Sequence, residues 1–420
     1  MVIVGNTFAP YSRGLRIART LVEAGYDVEI AAMAGPGLPR DDREGPIRVC
    51  RYGQRTPGGP NDNRGRFGPK DGTRPRQSLR GRGWRRLVRV PRRFWWPRVD
   101  VRGWWAGLEA ELEPADLYHC CGVYALPPAL TIAARQGGRR PVVIYDVVDD
   151  WFRSSLATST PAPLRWIRMF AEARRARVCD AIVAVNAPQA KVLERRWRPR
   201  RSVLCVPNFP MLDDAPASKS DLIRQELGLA PDVAVVLYWG LLGSRAALRI
   251  AEEAVLQVPG AVYVVIGFGR GFEASRALDG EPRFRGRHFT LPARHPDELL
   301  RWTASADVAL MRFNASSPND RLTTPNKLWE ALAAGTPVVV GRAQGPMAAF
   351  VERHDAGAVA EQMTPESVAA AIRRILGRSA AERDVWRQRL AGEARRSWTW
   401  PVAAAGYRNL VRTLETERDR

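Results

Sequence analysis

The sequence predicts an α/β protein of two domains. Three observations carry that expectation. At 420 residues the chain has room for two cores. Short β-branched runs alternate with amphipathic segments of helical period along most of its length. One stretch, Pro207 to Ser220 (PNFPMLDDAPASKS), is rich in Pro, Asp and Ser and breaks that rhythm near the middle. The expected division is 1–207, a hinge at 208–220, a second domain over 221–397, and a terminal helix over 398–420.

In the first half, Met1 to Gly5 reads as a short buried strand and Ser12 to Ala24 as an amphipathic helix closed by Gly25, with a second strand over Asp27 to Ala32. The loop from Gly5 to Gly14 is of the strand-to-helix kind that approaches phosphates, although it lacks G-x-G-x-x-G. Arg13, Gly14 and Arg16 are its candidates; ordinary first-turn arginines are the alternative. Strands follow at Asp116 to Cys120, Pro141 to Asp146, Ala181 to Val185 and Ser202 to Val206, with helices over Ala125 to Arg135, Pro163 to Arg177 and Pro188 to Arg195. Ligands meet the carboxyl ends of such strands, which places His119, Asp149 and Asp150 for chemistry. A carboxylate there can orient or deprotonate a hydroxyl, or simply cap a helix.

The second half opens on a strand from Val233 to Gly240, with Arg245 starting a helix. Ala261 to Ile266 leads into GFGRG, a tight turn in which Gly267 and Gly269 let backbone come close to a ligand. Strands at Arg287 to Leu291 and Val308 to Arg312 flank a helix at His295 to Ser305, and Phe313 to Thr323 is expected as a loop. Helices over Pro365 to Leu376, Ala380 to Arg396 and Trp398 to Leu414 finish the chain.

The most informative stretch is LTTPNKLWEALAAGTPVVV, from Leu322 to Val340. Thr324 suits an N-cap and Pro325 the first helical position; Gly335 suits a left-handed cap before a buried strand over Thr336 to Val340. Asn326, Lys327 and Glu330 then lie toward the N-terminal loop of one helix. Lys327 adds a cation where helix N–H groups already favour an anion, and Glu330 can accept both hydroxyls of a vicinal diol. Phosphate plus ribose fits that chemistry, whereas an i, i+3 surface ion pair is the plain alternative. Lysine occurs only at Lys70, Lys191, Lys219 and Lys327 among 65 basic residues. A chain that writes arginine almost everywhere has kept a compact point charge here.

PNKLWEALAAGTPVV resembles the P-x-K-x-x-E-x-x-A-x-G-x-P-V-V signature of retaining, nucleotide-sugar-dependent glycosyltransferases of the GT-B fold, group 1 (family 4) type. The resemblance implies that Lys327 contacts the donor diphosphate and Glu330 the ribose hydroxyls, with Thr324, Pro325, Asn326, Gly240, Gly267, Gly269 and Arg245 lining the donor site. It implies an acceptor side built from the Arg13, Gly14 and Arg16 loop and from His119, Asp149 and Asp150. It also implies two doubly wound, Rossmann-like domains with a cleft between them, transfer with retention, no metal or other cofactor beyond the donor, and a last helix crossing back to the first domain. Two positions depart from the pattern: Leu322 stands where a sugar-contacting glutamate is usual, and Val148 where a histidine is usual. Ala246 likewise replaces a glycine after Arg245. The donor sugar and base are therefore left open, as is the acceptor: a sugar, a lipid-linked intermediate or an aglycone, in cell-surface polysaccharide, glycolipid or natural-product synthesis.

A net charge of +21 implies an anionic partner. From Arg64 to Trp105 arginine is interleaved with Trp84, Phe94, Trp95, Trp96, Trp104 and Trp105, a mixture suited to an anionic membrane surface. An inert insertion and a single-stranded nucleic-acid site are the other readings, the last the least favoured. No run reaches the length of a membrane span and no leader precedes the first strand, so a cytoplasmic protein, peripheral on the inner membrane face, is expected. The five cysteines lack zinc spacing and read as reduced thiols. The competing classes are a non-catalytic glycosyltransferase-like partner subunit and a basic nucleic-acid-binding protein.

Overall fold

The computed structural model describes residues 1–8, 12–53, 92–212, 219–243, 248–311 and 315–419, the side chains of 92–100 and 296 excepted. Two parallel sheets organise these residues. The first is built from β1 (Val2–Val4), β2 (Glu29–Met33), β3 (Asp41–Glu44), β4 (Ile47–Tyr52), β5 (Leu117–Cys121), β6 (Val142–Val147), β7 (Ala181–Ala184) and β8 (Leu204–Cys205). Its strand order is β3-β4-β2-β1-β5-β6-β7-β8, parallel except for the β3–β4 hairpin at one edge. The second comprises β9 (Ala234–Leu241), β10 (Ala261–Phe268), β11 (His288–Pro292), β12 (Val308–Leu310), β13 (Val338–Gly341) and β14 (Gly357–Ala360), in the order β11-β10-β9-β12-β13-β14. Both sheets reverse strand order beside their first strand, between β1 and β5 and between β9 and β12. A doubly wound sheet takes its ligand at that switch point, outside the carboxyl ends of the strands.

The central strands are apolar on both faces, as sheets covered on two sides require: VVIYDV in β6 and AVVLYWGL in β9 bury nearly every side chain. The β3–β4 hairpin was not legible, because DDRE in β3 is fully exposed and carries no apolar alternation. The helix Arg92–Glu111 corrects the reading of the tryptophan-rich segment at its C-terminal end. Trp104 is buried and donates its indole N–H to Ala32 O at 3.0 Å, and Trp105 donates to Tyr124 O at 2.8 Å. Trp104 belongs to the core, and Trp105 packs half-buried against it. Trp84 lies outside the described residues, as do the side chains of Phe94, Trp95 and Trp96.

The last helix, Trp400–Arg418, lies against the first sheet's domain. Trp400 Nε1 donates to Thr20 Oγ1 at 2.9 Å, and the Tyr407 hydroxyl meets His119 Nδ1 at 2.8 Å in the interior. Phe209, in the connection between the sheets, packs edge-on against Trp329 of the helix Asn326–Ala333, with ring centroids 4.7 Å apart.

Candidate functional site between the two sheets

The helix Asn326–Ala333 begins one residue later than the sequence indicated. Pro325 occupies the N-cap in extended conformation, and the Thr324 hydroxyl accepts instead from Asn186 Nδ2 at 3.2 Å. A side-chain donor from the other domain has taken the oxygen that would have capped the helix. The C-terminal end follows expectation: Gly335 is left-handed, Thr336 N bonds Ala331 O at 2.8 Å and Gly335 N bonds Leu332 O at 3.0 Å, satisfying two of the orphan carbonyls. A Cβ at Gly335 would come within 2.7 Å of Arg387 O.

Lys327 leaves the first turn of this helix and crosses the end of β9. Its Nζ stands 5.3 Å from the centroid of the Tyr238 ring, and a Cβ on Gly240 would lie 3.0 Å from it. Gly240 is left-handed (φ 97°), so glycine is required there on two counts. Glu330 accepts from Trp239 Nε1 at 2.9 Å through Oε2, and among the described residues Oε1 has no partner. Among the described residues Lys327 has no carboxylate partner either. The surface ion-pair alternative is therefore not what the helix displays.

The turns after β9 and β10 interlock beside Lys327. A Cβ at Gly267 would lie 2.4 Å from Gly240 O, and Gly269 is left-handed with a Cβ position 2.8 Å from Leu241 Cδ1. Leu242 N bonds Phe268 O at 2.8 Å, and Gly271 N bonds Leu242 O at 2.9 Å. Two glycine turns stacked at adjacent strand ends leave backbone where side chains would otherwise fill the space. Arg245 lies outside the described residues.

Across the cleft, the two carboxylates after β6 have different situations. Asp150 is buried and its Oδ2 pairs with Arg196 Nη1 at 2.8 Å. Asp149 is exposed, accepts from Asn319 Nδ2 at 3.1 Å, and stands with Asp150 and Asp320 nearby. Water reaches its carboxylate, yet protein surrounds it on most sides. That crowding raises its pKa above the usual carboxylate value, the Asn319 hydrogen bond opposing the rise. The same Asn319 accepts from Asp150 N at 2.8 Å through Oδ1. Asn319 belongs to the short helix Pro318–Leu322, capped by a Ser317/Asp320 capping box, where a loop was expected. Its signal, S-P-N-D, was present in the sequence and was missed. Two further hydrogen bonds span the domains: Asn186 Nδ2 to Leu322 O at 2.7 Å, and Asn326 Nδ2 to Ser12 Oγ at 3.3 Å.

Four expected site residues are placed elsewhere by the structure. His119 sits within β5, fully buried, with Nε2 3.2 Å from Asp146 Oδ2 and Nδ1 bonded to Tyr407. Burial lowers its pKa, and both nitrogens are engaged, so it cannot meet a substrate in this arrangement. Arg13 is buried too. Its guanidinium forks onto Asp146 at 2.7 and 2.9 Å and bonds Val206 O at 3.0 Å and Asn208 Oδ1 at 2.9 Å. Arg16 is buried over the Trp400 ring and reaches Asn208 Oδ1 at 3.3 Å. Gly14 is buried inside the helix Ser12–Glu23. This loop ties the hinge rather than presenting arginine to the cleft. Sequence could not reveal it, because Asp146, the partner, lies 133 residues away. His119, Cys121 and Asp146 bring ligand atoms within 4.8 Å of one another, but the cation at Asp146 is already arginine.

Behind Asp150 lies a further titratable group. Glu172 is buried, accepts from the Tyr145 hydroxyl at 2.7 Å, and is pushed up to about 7 by burial, with Asp150 adding to the rise. The folded protein holds that proton more tightly than the unfolded chain, so stability falls as pH rises from about 4.5 through 7. The loss amounts to about 3 kcal/mol from this group. Glu172→Gln keeps the acceptor and removes the charge; urea unfolding at pH 5 and pH 8 should show wild type losing stability relative to the variant. Equal pH dependence of the two proteins would contradict the assignment.

Two parallel switch-point sheets facing one another, with the final helix returned to the first, constitute the GT-B fold. Within the second domain, residues 234–378 match the family model for "Glycosyl transferases group 1". No curated protein matches the chain. Among solved structures, sucrose-phosphate synthase from Thermosynechococcus elongatus superposes with a TM-score of 0.71 at 18% identity, covering 99% of this chain and 98% of that one. WaaG, a glycosyltransferase involved in lipopolysaccharide biosynthesis, gives 0.64 at 15% identity, with 96% and 97% covered. HepE of Anabaena in complex with UDP-glucose gives 0.63 at 14% identity, with 99% of each chain covered.

Proposed function

We propose that this chain is a glycosyltransferase that moves a sugar from a nucleotide-diphosphate sugar to a hydroxyl acceptor, with retention and without a metal. The observation that carries the reading is Lys327, without an acidic partner among the described residues, laid across the glycine turn at Gly240 one helical turn from Glu330. The family match over residues 234–378 and a neighbour that binds UDP-glucose support it. In this reading Glu330, held by Trp239, accepts the ribose hydroxyls through its remaining oxygen, and Lys327 with the first-turn N–H groups meets the diphosphate. As the bond from sugar C1 to the diphosphate oxygen breaks, charge grows on the leaving group, and Lys327 stabilises it there. The acceptor oxygen forms the new bond to C1 on the face the diphosphate leaves, which retains the configuration, and its proton passes to Asp149. The raised pKa of Asp149 favours that transfer. The acceptor is a sugar, a lipid-linked intermediate or an aglycone, in cell-surface polysaccharide, glycolipid or natural-product biosynthesis.

Thermal shift with UDP, GDP, ADP and UDP-glucose tests the donor site. Stabilisation of several degrees by one nucleotide is expected, and Lys327→Ala should weaken that ligand by about 1.5–3 kcal/mol, the range for a charged hydrogen-bonded contact. Glu330→Ala should weaken the ribonucleotide but not inorganic diphosphate. Undiminished affinity in Lys327→Ala would remove the diphosphate role.

A further inference from the structure

The first domain carries an exposed apolar face that the cleft does not use. It begins just after Asp149 and Asp150, with short helical turns over Trp151–Arg153 and Ser155–Ser159, and continues along the helix Ala162–Ala176. Leu156 is 69%, Trp166 67%, Ile167 65% and Phe170 62% exposed. Among the described residues the exposed large apolar side chains are few, and the aromatic ones are both here. Trp166, Ile167 and Phe170 share one stripe at i, i+1 and i+4, pointing away from the buried face at Glu172 and Ala176. A soluble helix normally turns such a stripe inward.

The charges around the stripe identify its partner. Arg174 lies on the stripe side of the same helix, its guanidinium 5.9 Å from the Phe170 ring centroid, and the next residue, Arg175, is exposed; Arg165 and Arg168 are half-buried on the opposite side. The helix's one acid, Glu172, is buried. Aromatic and branched apolar side chains on one face, bordered by arginine, match a bilayer interface: rings at the acyl boundary, guanidinium groups at lipid phosphates. A second copy of the chain fits poorly, since a two-fold contact would oppose two arginine borders in a protein of net charge +21. Segment 54–91 would oppose arginine to arginine in the same way, since it is rich in arginine and its only acids are Asp62 and Asp71. No described helix is long and apolar enough to cross a membrane, so the contact is peripheral.

We propose that the face formed by Leu156, Trp166, Ile167 and Phe170 docks this protein on an anionic lipid surface. Resting on the glycosyl-transfer reading, docking there holds the Asp149 side of the cleft at the bilayer, where a lipid-linked acceptor would arrive. The experiment is flotation of the full chain with vesicles of phosphatidylcholine alone and of three parts phosphatidylcholine to one part phosphatidylglycerol. Binding to the anionic vesicles and little to the neutral ones is expected, with W166S/F170S losing about tenfold or more in partition coefficient. R174E/R175E, altering only exposed charges, should lose binding to the anionic vesicles selectively. Flotation of W166S/F170S equal to wild type would overturn the proposal and leave the remaining basic surface as the lipid contact. A wild-type dimer that W166S/F170S converts to monomer would overturn it in favour of self-association. Nucleotide stabilisation, measured on the same variants, should be unchanged. Its absence in wild type would count against the donor site, not against docking.

Discussion

Asp149→Asn should lower turnover by about 100- to 10,000-fold while leaving nucleotide affinity intact, the loss expected when a positioned proton acceptor is removed. The two neighbouring carboxylates are separable because their partners differ. Asp150 is buried, and its Oδ2 is bound to Arg196. Asp149 faces the cleft with one amide donor on Oδ1. Asparagine keeps that contact and the side-chain shape, so any loss of rate reports the missing charge. Single-turnover measurements with donor and a competent acceptor separate chemistry from binding. If Asp149→Asn turns over at the wild-type rate while Asp150→Asn does not, the roles have been assigned the wrong way round.

Arg13→Ala should destabilise the fold by about 3–5 kcal/mol, the cost of stranding a buried charge. Arg13 satisfies both oxygens of Asp146 and two acceptors in the connection after β8. Opposing effects act on the Asp146 carboxyl: burial raises it, and Arg13 and His119 lower it further than burial raises it, to about 2. Because the folded value lies below the unfolded one, this contribution is present above about pH 4 and is lost as pH falls toward 2. Denaturant unfolding at pH 7 measures the substitution. Residual folded Arg13→Ala should bind nucleotide as wild type does; a selective loss of nucleotide affinity with unchanged stability would restore the anion-binding role expected from the sequence.

Sequence disclosed most of the secondary structure because its signals were local. β-branched runs marked the central strands of both sheets, and the glycine after the helix Asn326–Ala333 marked its end. It failed where the deciding partner was distant. Thr324 suits a cap by every local rule, yet Asn186 claims its hydroxyl. Arg13 and His119 stand beside a cleft in sequence terms, yet Asp146 and Tyr407 bury them. Of the carboxylate pair, burial and the ion pair from Arg196 set Asp150 apart from Asp149, and no periodicity encodes either. Asn319 was the reverse case, a residue in a readable S-P-N-D cap whose function comes entirely from what lies opposite it.

The return of the last helix has a consequence for the order in which the molecule can be completed on the ribosome. His119 lies in the interior of the first domain, but the hydroxyl that satisfies its Nδ1 arrives 288 residues later with Tyr407. The Thr20 oxygen that receives the Trp400 indole waits longer still. The half of the protein made first is therefore the half finished last. Until translation delivers the helix Trp400–Arg418, the nascent first domain carries an open seam that folding factors or proteases can reach.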